Sequence, residues 1–196
     1  MTEVLPRREL RDPKTLRALA HPIRLRLLEE LALVGPLTAT ELGERIEQSA
    51  ANCSWHLRQL AQYGFVEEAG GGTGRQRPWR IVVTRHSWGE GELDDETELA
   101  GVALSEVMLE RELAAMRAGM TATRKEPEPW RDAAFLHQSL SWLTAEELAE
   151  AQQEIGAVLF RYFDRVGRPE QRPPDARPIR FLAWGVPARP LNGGAS

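Results

Sequence analysis

The residues best suited to chemistry in this chain lie within positions 49–59 and carry small, amide, hydroxyl and guanidinium side chains. Asn52 and Arg58 have the donors and acceptors that read base edges in a DNA major groove, and Ser54 can reach a phosphate. The small Ala50 would let the backbone approach closely. We therefore predict a DNA-contacting set of Thr38, Ser49, Ala50, Asn52, Ser54, Trp55, His56, Arg58 and Gln59.

A single helix at about residues 49–63 can present these side chains on one face. Cys53, Leu57 and Leu60 recur at i, i+4 and i+7, which predicts that they form its buried face. Ser49 is predicted to cap the start of this helix, and Gly64 to end it in a left-handed conformation.

Three earlier helices are predicted to position it. Asp12 followed by proline is typical of a helix start, and residues 22–33 form a second amphipathic helix. Thr38 with Glu41 makes a capping box, which predicts a third helix over residues 38–46.

Two short strands, 65–66 and 79–83, flank a glycine-rich stretch after the fourth helix. Arg75, Arg77 and Arg80 lie in or beside it. Such a basic hairpin, a wing, is expected on DNA phosphates or in the adjacent minor groove. An ordinary solvated hairpin loop is the alternative.

These motifs, in this order, resemble those of ArsR-type winged-helix transcriptional regulators. The resemblance covers roughly residues 13–85 and rests on the segments 19–28, 37–46, 54–60 and 63–66. It implies a homodimer on a partly palindromic double-stranded DNA operator, with each recognition helix in the major groove. Asn52, Ser54, Trp55 and Arg58 match its DNA-facing positions, although smaller or basic residues are commoner where Trp55 stands.

Metal sensing, a known trait of that family, is not expected here. The chain has a single cysteine, Cys53, and residues 95–117 contain no histidine, so the ligand sets of the metal-sensing members are missing. We predict no metal and no cofactor.

A long helix over about residues 95–117 is predicted to pair two subunits. Its apolar residues recur at spacings of three and four, as in a coiled-coil seam, and we assign dimerisation to Leu99, Val102, Leu109, Leu113 and Met116. A fully buried core helix is the alternative.

The remaining chain is predicted to form a small α+β unit. Alternating apolar residues indicate strands at 135–143 and 179–186, and Thr144 with Glu147 starts a helix to about residue 166. The fold class is then mainly α with small β. The predicted division is a flexible N-terminus (1–12), a winged helix-turn-helix (13–86), a linker and dimerisation helix (87–126), the α+β unit (127–186) and a flexible tail (187–196).

Charge and composition limit the other classes of function. Residues 1–90 hold 13 Lys and Arg against 11 Asp and Glu, a net of +2, and residues 91–196 hold 12 against 18, a net of −6. No leader or membrane-length apolar run is present, so we expect a cytoplasmic protein without membrane contact. His137 near Ser139 and Ser141 lacks a nucleophile elbow, and residues 70–74 lack the pattern of a phosphate-binding loop, so no enzyme is expected.

Three alternatives stay open from the residues alone. Cys53 in the reading helix could sense oxidation, although its inward phase favours a core position. A small apolar effector could bind among Trp130, Trp142 and Trp184. Alternatively, the winged helix could be a protein-interaction module that works through the acidic C-terminal half.

Overall fold

The computed structural model describes residues 6–71 and 77–188, which form seven α-helices, four short strands and two 3₁₀ turns. The fold class predicted from the sequence, mainly α with small β, is confirmed. In chain order the elements are β1 (Arg7–Glu9), α1 (Pro13–Leu19), α2 (Pro22–Val34), α3 (Ala39–Ile46), α4 (Ala50–Gln62), β2 (Val66–Glu68), β3 (Trp79–Ile81), β4 (Arg85–Ser87), α5 (Asp95–Thr123), α6 (Glu128–Ala133), α7 (Ala145–Leu159) and the turns Phe163–Val166 and Pro169–Gln171.

Helices α1, α3, α4 and α7 begin at the residues that were predicted to cap them. In each of the four, the capping side chain satisfies free backbone amides of the first turn. The Asp12 carboxylate accepts from the Thr15 amide at 2.9 Å, and the Ser49 hydroxyl accepts from the Asn52 amide at 3.2 Å. The capping box at Thr38 is complete, as is the one at Thr144. Because these caps are local, they could be predicted from short motifs.

Helices α2, α3 and α4 pack around one core that fixes the direction of α4. Leu27, Leu42, Leu57 and Leu60 are fully buried, and Phe65 closes the core just after α4. The left-handed φ of 72° at Gly64 turns the chain from α4 towards β2, as predicted.

The strands form two small sheets. β2 pairs antiparallel with β3, with Glu67 opposite Arg80 and Glu68 opposite Trp79. Leu37 extends this sheet by exchanging two backbone hydrogen bonds with Trp79, at 2.8 and 3.0 Å. The winged helix therefore has its usual wing pair and a one-residue third strand.

β1 corrects the prediction of a flexible N-terminus over residues 1–12. It pairs in parallel with β4, with Arg7 opposite Arg85, and Leu10 is buried in the core just after it. No local motif indicates this strand, because its partner β4 lies far along the chain and its own residues, Arg7, Arg8 and Glu9, are charged. The first five residues lie outside the described part of the chain.

The chain divides into two units that are discontinuous in sequence. The first unit runs to Ala118 and also takes in Asp164–Pro178; the second unit comprises Gly119–Phe163 and the chain from Ile179 onward. The predicted domains, with boundaries at residues 86 and 126, were each continuous in sequence. They did not anticipate that Asp164–Pro178 belongs to the first unit.

The strands predicted at 135–143 and 179–186 were wrong. Both stretches lack regular secondary structure, and every residue in them is exposed. Alternation of apolar residues predicts a strand only where a partner strand is available, and among the described residues neither stretch has one. The predicted tail lies mostly outside the described residues, which end at residue 188.

His86 is the most perturbed histidine of the first unit. It lies in β4 with its ring centroid 5.1 Å from that of Phe65, and its Nε2 is buried without a hydrogen-bond partner. Burial, followed by the charge of Arg8, lowers the pKa of His86 from 6.5 to about 4. The fold therefore holds His86 neutral at pH values where the unfolded chain would protonate it.

Stability is accordingly expected to fall as the pH drops from 7 to 5. The folded pKa of His86 lies below its unfolded value, so the stabilisation is present above pH 6.5 and is lost between pH 6.5 and about 4. We expect urea titrations to show a loss of about 1–2 kcal/mol between pH 7 and 5 from this residue. His86→Phe should flatten the dependence, whereas His137→Phe at an exposed position should not. An unchanged slope in His86→Phe would remove His86 as the cause.

Candidate nucleic-acid interface

The outer face of α4 is free of packing. Cys53 and Leu57 are fully buried on its inner face, whereas Ala50, Trp55 and Arg58 are exposed on the other, with 53% of Trp55 accessible. The half of this indole that stays in water is apolar surface that a partner could bury. The outer face of α4 is therefore open to a partner.

The polar side chains of this face hold one another in place. The Arg58 Nη2 donates to the Ser54 hydroxyl at 3.0 Å, and the Asn52 Nδ2 donates to the Gln48 Oε1 at 2.8 Å. Gln59 is half-buried beside them. The Arg58–Ser54 bond is exposed and the Asn52–Gln48 bond is part-buried. Both can exchange for bonds to base edges or phosphates, because each protein bond is replaced by another.

Two predicted contact residues serve as caps. The Thr38 hydroxyl donates to a Glu41 carboxylate oxygen at 2.7 Å and accepts from the Glu41 amide at 3.3 Å. Ser49 caps α4 through the bond already given. Both residues lie at helix N-termini, where the amide dipoles favour a phosphate, but their side chains are already engaged in the free protein.

His56 was predicted to contact DNA, and the structure contradicts this. Its side chain is 3% exposed and packs beneath α4, with its ring centroid 4.6 Å from that of His21. Burial lowers the pKa of His56, and His21 and Arg24 lower it further. The residue next to it, Trp55, takes the outward position, so a shift of one residue along the helix separates the buried ring from the exposed one.

The wing carries its own counter-charges. Arg77 donates to a Glu68 carboxylate oxygen at 2.8 Å, and Arg80 donates to one of Glu67 at 2.7 Å. Arg75, the third predicted wing cation, lies outside the described residues. The two glutamates were not among the residues predicted for the wing. The register of the hairpin, which puts Glu67 opposite Arg80, could have indicated the ion pair between them.

Removing these carboxylates is expected to strengthen binding to any duplex. In the double variant Glu67→Gln with Glu68→Gln, Arg77 and Arg80 do not have to break an ion pair before they bind a phosphate. The variant also loses two negative charges that repel DNA. We expect affinity for a random duplex at low salt to rise by about two- to tenfold, with a steeper salt dependence. Glu146→Gln with Glu150→Gln makes the same charge change in α7 and serves as the control. Equal effects in both pairs would show a general charge effect and no role for the wing.

Cys53 is a core residue. The thiol is fully buried against the inner face, and burial raises its pKa, which disfavours the reactive thiolate. Within residues 6–71 and 77–188, no three histidine, cysteine, aspartate or glutamate side chains are placed to hold a metal ion. In the same ranges, no helix has the length and apolarity needed to cross a bilayer.

A segment far along the sequence supports the start of the helix-turn-helix. We call residues 164–178 the strap. Arg172 in the strap donates to four backbone carbonyls: those of Leu33 at 2.7 Å and Ala32 at 3.0 Å in α2, and those of Arg165 at 2.9 Å and Val166 at 3.0 Å. A guanidinium at the C-terminus of α2 satisfies free carbonyls and opposes the helix dipole. No motif in the sequence indicated this contact, because its two sides are 139 and 140 residues apart.

α5 is held to the first unit on one side and exposed on the other. Ala100 and Leu104 are buried, the Trp88 indole donates to Ser105 at 2.8 Å, and Arg111 pairs with Glu29 of α2 at 2.8 Å. Four predicted dimerisation residues are exposed, with Leu113 half-buried beside them: Leu99, Val102, Leu109 and Met116. In one copy, the alternative of a fully buried core helix does not hold.

The alternative of an effector pocket among Trp130, Trp142 and Trp184 finds no enclosed site in one copy, because Trp142 and Trp184 are exposed. An open cleft of about 760 Å³ lies instead in the first unit, between residues 88–93 and α5. Val102 and Leu109 of the exposed α5 face line it, so a protein that covers this face would also cover the cleft.

A family model described as a helix-turn-helix domain matches residues 19–69. The match spans α2, α3, α4 and β2, the same segment that the core places around the exposed face of α4. It agrees with the prediction that the chain is not an enzyme. No curated protein matches the chain.

Several solved structures resemble parts of the chain at low identity. The reduced form of HlyU from Vibrio cholerae is 23% identical, with 51% of this chain and 84% of that chain covered and a TM-score of 0.32. YusO from Bacillus subtilis is 17% identical over 74% and 82% of the two chains, with a TM-score of 0.33. A complex of MepR from S. aureus with DNA is 14% identical over 57% and 85%, with a TM-score of 0.30. TM-scores this low do not establish a shared overall fold.

Proposed function

We propose that this chain is a sequence-specific DNA-binding transcriptional regulator of the ArsR type that acts as a homodimer. α4 enters the major groove, and the wing between β2 and β3 lies on the neighbouring backbone. The observation that carries the proposal is the division of α4 into a fully packed inner face and an outer face of exposed Ala50, Trp55 and Arg58.

The chemistry of the outer face suits a groove better than a protein surface. Arg58 can bond a guanine edge with two hydrogen bonds, and Asn52 an adenine edge, after they release their present partners. Trp55 offers an apolar face to a thymine methyl group or a sugar. The match of residues 19–69 to a helix-turn-helix domain supports the same reading.

The homodimer is proposed from α5. Leu99, Val102, Leu109 and Met116 repeat at spacings typical of a helix pair, and they lie opposite the side anchored by Ala100 and Leu104. A second α5 packed on this face would place two α4 helices on one duplex, as a palindromic operator requires.

Arg58→Ala is expected to lower affinity for a selected operator by about 1–3 kcal/mol if Arg58 reads a base. The operator is first obtained by selection from a random duplex pool, and affinity is measured by fluorescence anisotropy at fixed salt. Arg161→Ala removes the same charge at an exposed position in the second unit and serves as the matched control. Equal affinities of Arg58→Ala and wild type would remove Arg58 from the interface.

The alternative of a protein-interaction module makes a different prediction. A module of that kind should not bind random duplex DNA even at low salt, whereas the proposed regulator should bind it weakly, with an affinity that falls steeply as salt rises.

A further inference from the structure

The second unit has secondary structure without a core. α7 begins with a complete capping box, and Phe135 lies 6.2 Å from Phe181 between ring centroids. Yet no described residue of this unit is buried in a single copy. A unit of this size owes its stability to buried apolar surface, so one copy does not contain what is needed to hold it.

The surface left open is large and apolar. Two segments without regular structure, residues 135–143 and 179–186, carry most of it, and we call them the arms. Their exposed fractions include 100% for Trp142, 82% for Leu140 and 75% for Trp184. The ten large apolar side chains that the arms expose amount to roughly 1,000 Å² in total, above the ~800 Å² per partner of a standard interface. They are Phe135, Leu136, Leu140, Trp142, Leu143, Ile179, Phe181, Leu182, Trp184 and Val186.

We propose that the arms of two copies of this chain pack on one another, so that the core of the second unit forms only in the homodimer. The area fits, because each copy offers enough surface for a stable dimer. Residues 134–143 contain no Lys, Arg, Asp or Glu, so a twofold axis that brings this stretch against itself meets no like charges. Met116 and Met120 are both exposed and lie four residues apart on α5, so the exposed face of that helix extends close to its end at Thr123.

The proposal rests on the homodimer in the proposed function and not on DNA binding. It adds that folding of the second unit and pairing of the chains are one event. Apolar segments that gain a partner strand can then adopt the alternating pattern that their sequences carry.

The test is sedimentation equilibrium of the full chain over a wide concentration range, with hydrogen exchange on the same samples. We expect a dimer whose arm amides are protected at least about 100-fold, and protection that disappears on dilution in step with dissociation. Trp142→Ser with Trp184→Ser should raise the dimer dissociation constant at least about 100-fold. Trp55→Ser, an exposed tryptophan on α4, is the matched control and should leave it unchanged.

Three results would overturn the proposal. They are a chain that stays single at about 100 µM, arm protection that is independent of concentration, and arm protection that appears only when another protein is added. Binding of random duplex is recorded separately. A dimer with protected arms and no DNA binding would reject only the proposed function, and a DNA-binding dimer with unprotected arms would reject only this proposal.

Discussion

Gly43→Ala should destabilise the protein and disrupt the turn between α3 and α4. A Cβ at Gly43 would lie 2.5 Å from the backbone oxygen of Gln48 and 3.3 Å from the amide nitrogen of Ala50. The neighbours are backbone atoms and cannot rotate away, so the first turn of α4 must shift. We expect a loss of about 1–3 kcal/mol in urea unfolding, even though alanine favours a helix more than glycine does.

The same substitution elsewhere supplies the control for Gly43→Ala. Gly119 lies within α5, and a Cβ there would meet nothing within 4 Å. Gly119→Ala should therefore stabilise the chain by about 0.5–1 kcal/mol through helix propensity alone. If both variants shifted stability in the same direction, close approach of the turn to Gly43 would not be the controlling factor. Operator affinity should fall in Gly43→Ala and stay unchanged in Gly119→Ala.

Arg172→Ala is the second substitution with a large expected effect. It removes four hydrogen bonds to backbone carbonyls and the positive charge at the C-terminus of α2. Hydrogen bonds of this kind contribute about 1 kcal/mol each, and partial replacement by water reduces the sum. We expect a loss of about 2–3 kcal/mol in unfolding free energy, with faster hydrogen exchange at the Gly35 amide, which ends α2.

A conservative variant separates charge from geometry at this site. Arg172→Lys keeps the charge near the end of α2, but one ammonium cannot reach both pairs of carbonyls. It should recover about half of the loss. Arg161→Ala, which removes an exposed arginine in the second unit, should leave the stability of the first unit unchanged. Full recovery in Arg172→Lys would assign the effect to the helix dipole alone.

Short sequence motifs correctly predicted α4 and the helices α1 and α3. The caps at Asp12, Thr38 and Ser49 and the burial of Cys53 and Leu57 follow from spacing within a dozen residues, and the structure confirms them. A helix has one period, so its inner face can be read from the sequence.

The predictions that were wrong concern residues whose structure depends on partners far away in the sequence. His56 was predicted to contact DNA, but it is buried, with its ring centroid 4.6 Å from that of His21 at the start of α2. β1 formed because β4 is available to it, and the arms did not form strands because nothing in one copy pairs with them. The ion pairs of Glu67 and Glu68 with the wing arginines were not predicted, although they depend only on the register of the two strands of one hairpin.

The position of Arg172 has a consequence for synthesis of the chain. Helices α2 to α4 leave the ribosome more than a hundred residues before the strap does. Arg172 follows its partners Leu33 and Ala32 by 139 and 140 residues, so at about 5–20 residues per second the C-terminus of α2 waits roughly 7–28 s for the guanidinium. During that interval the nascent winged helix has its helix caps and its core, but it lacks the hydrogen bonds from Arg172 to the C-terminus of α2. A chain that stops before residue 172 therefore lacks the contact that holds the C-terminus of α2, and only a chain extended beyond residue 172 can form it.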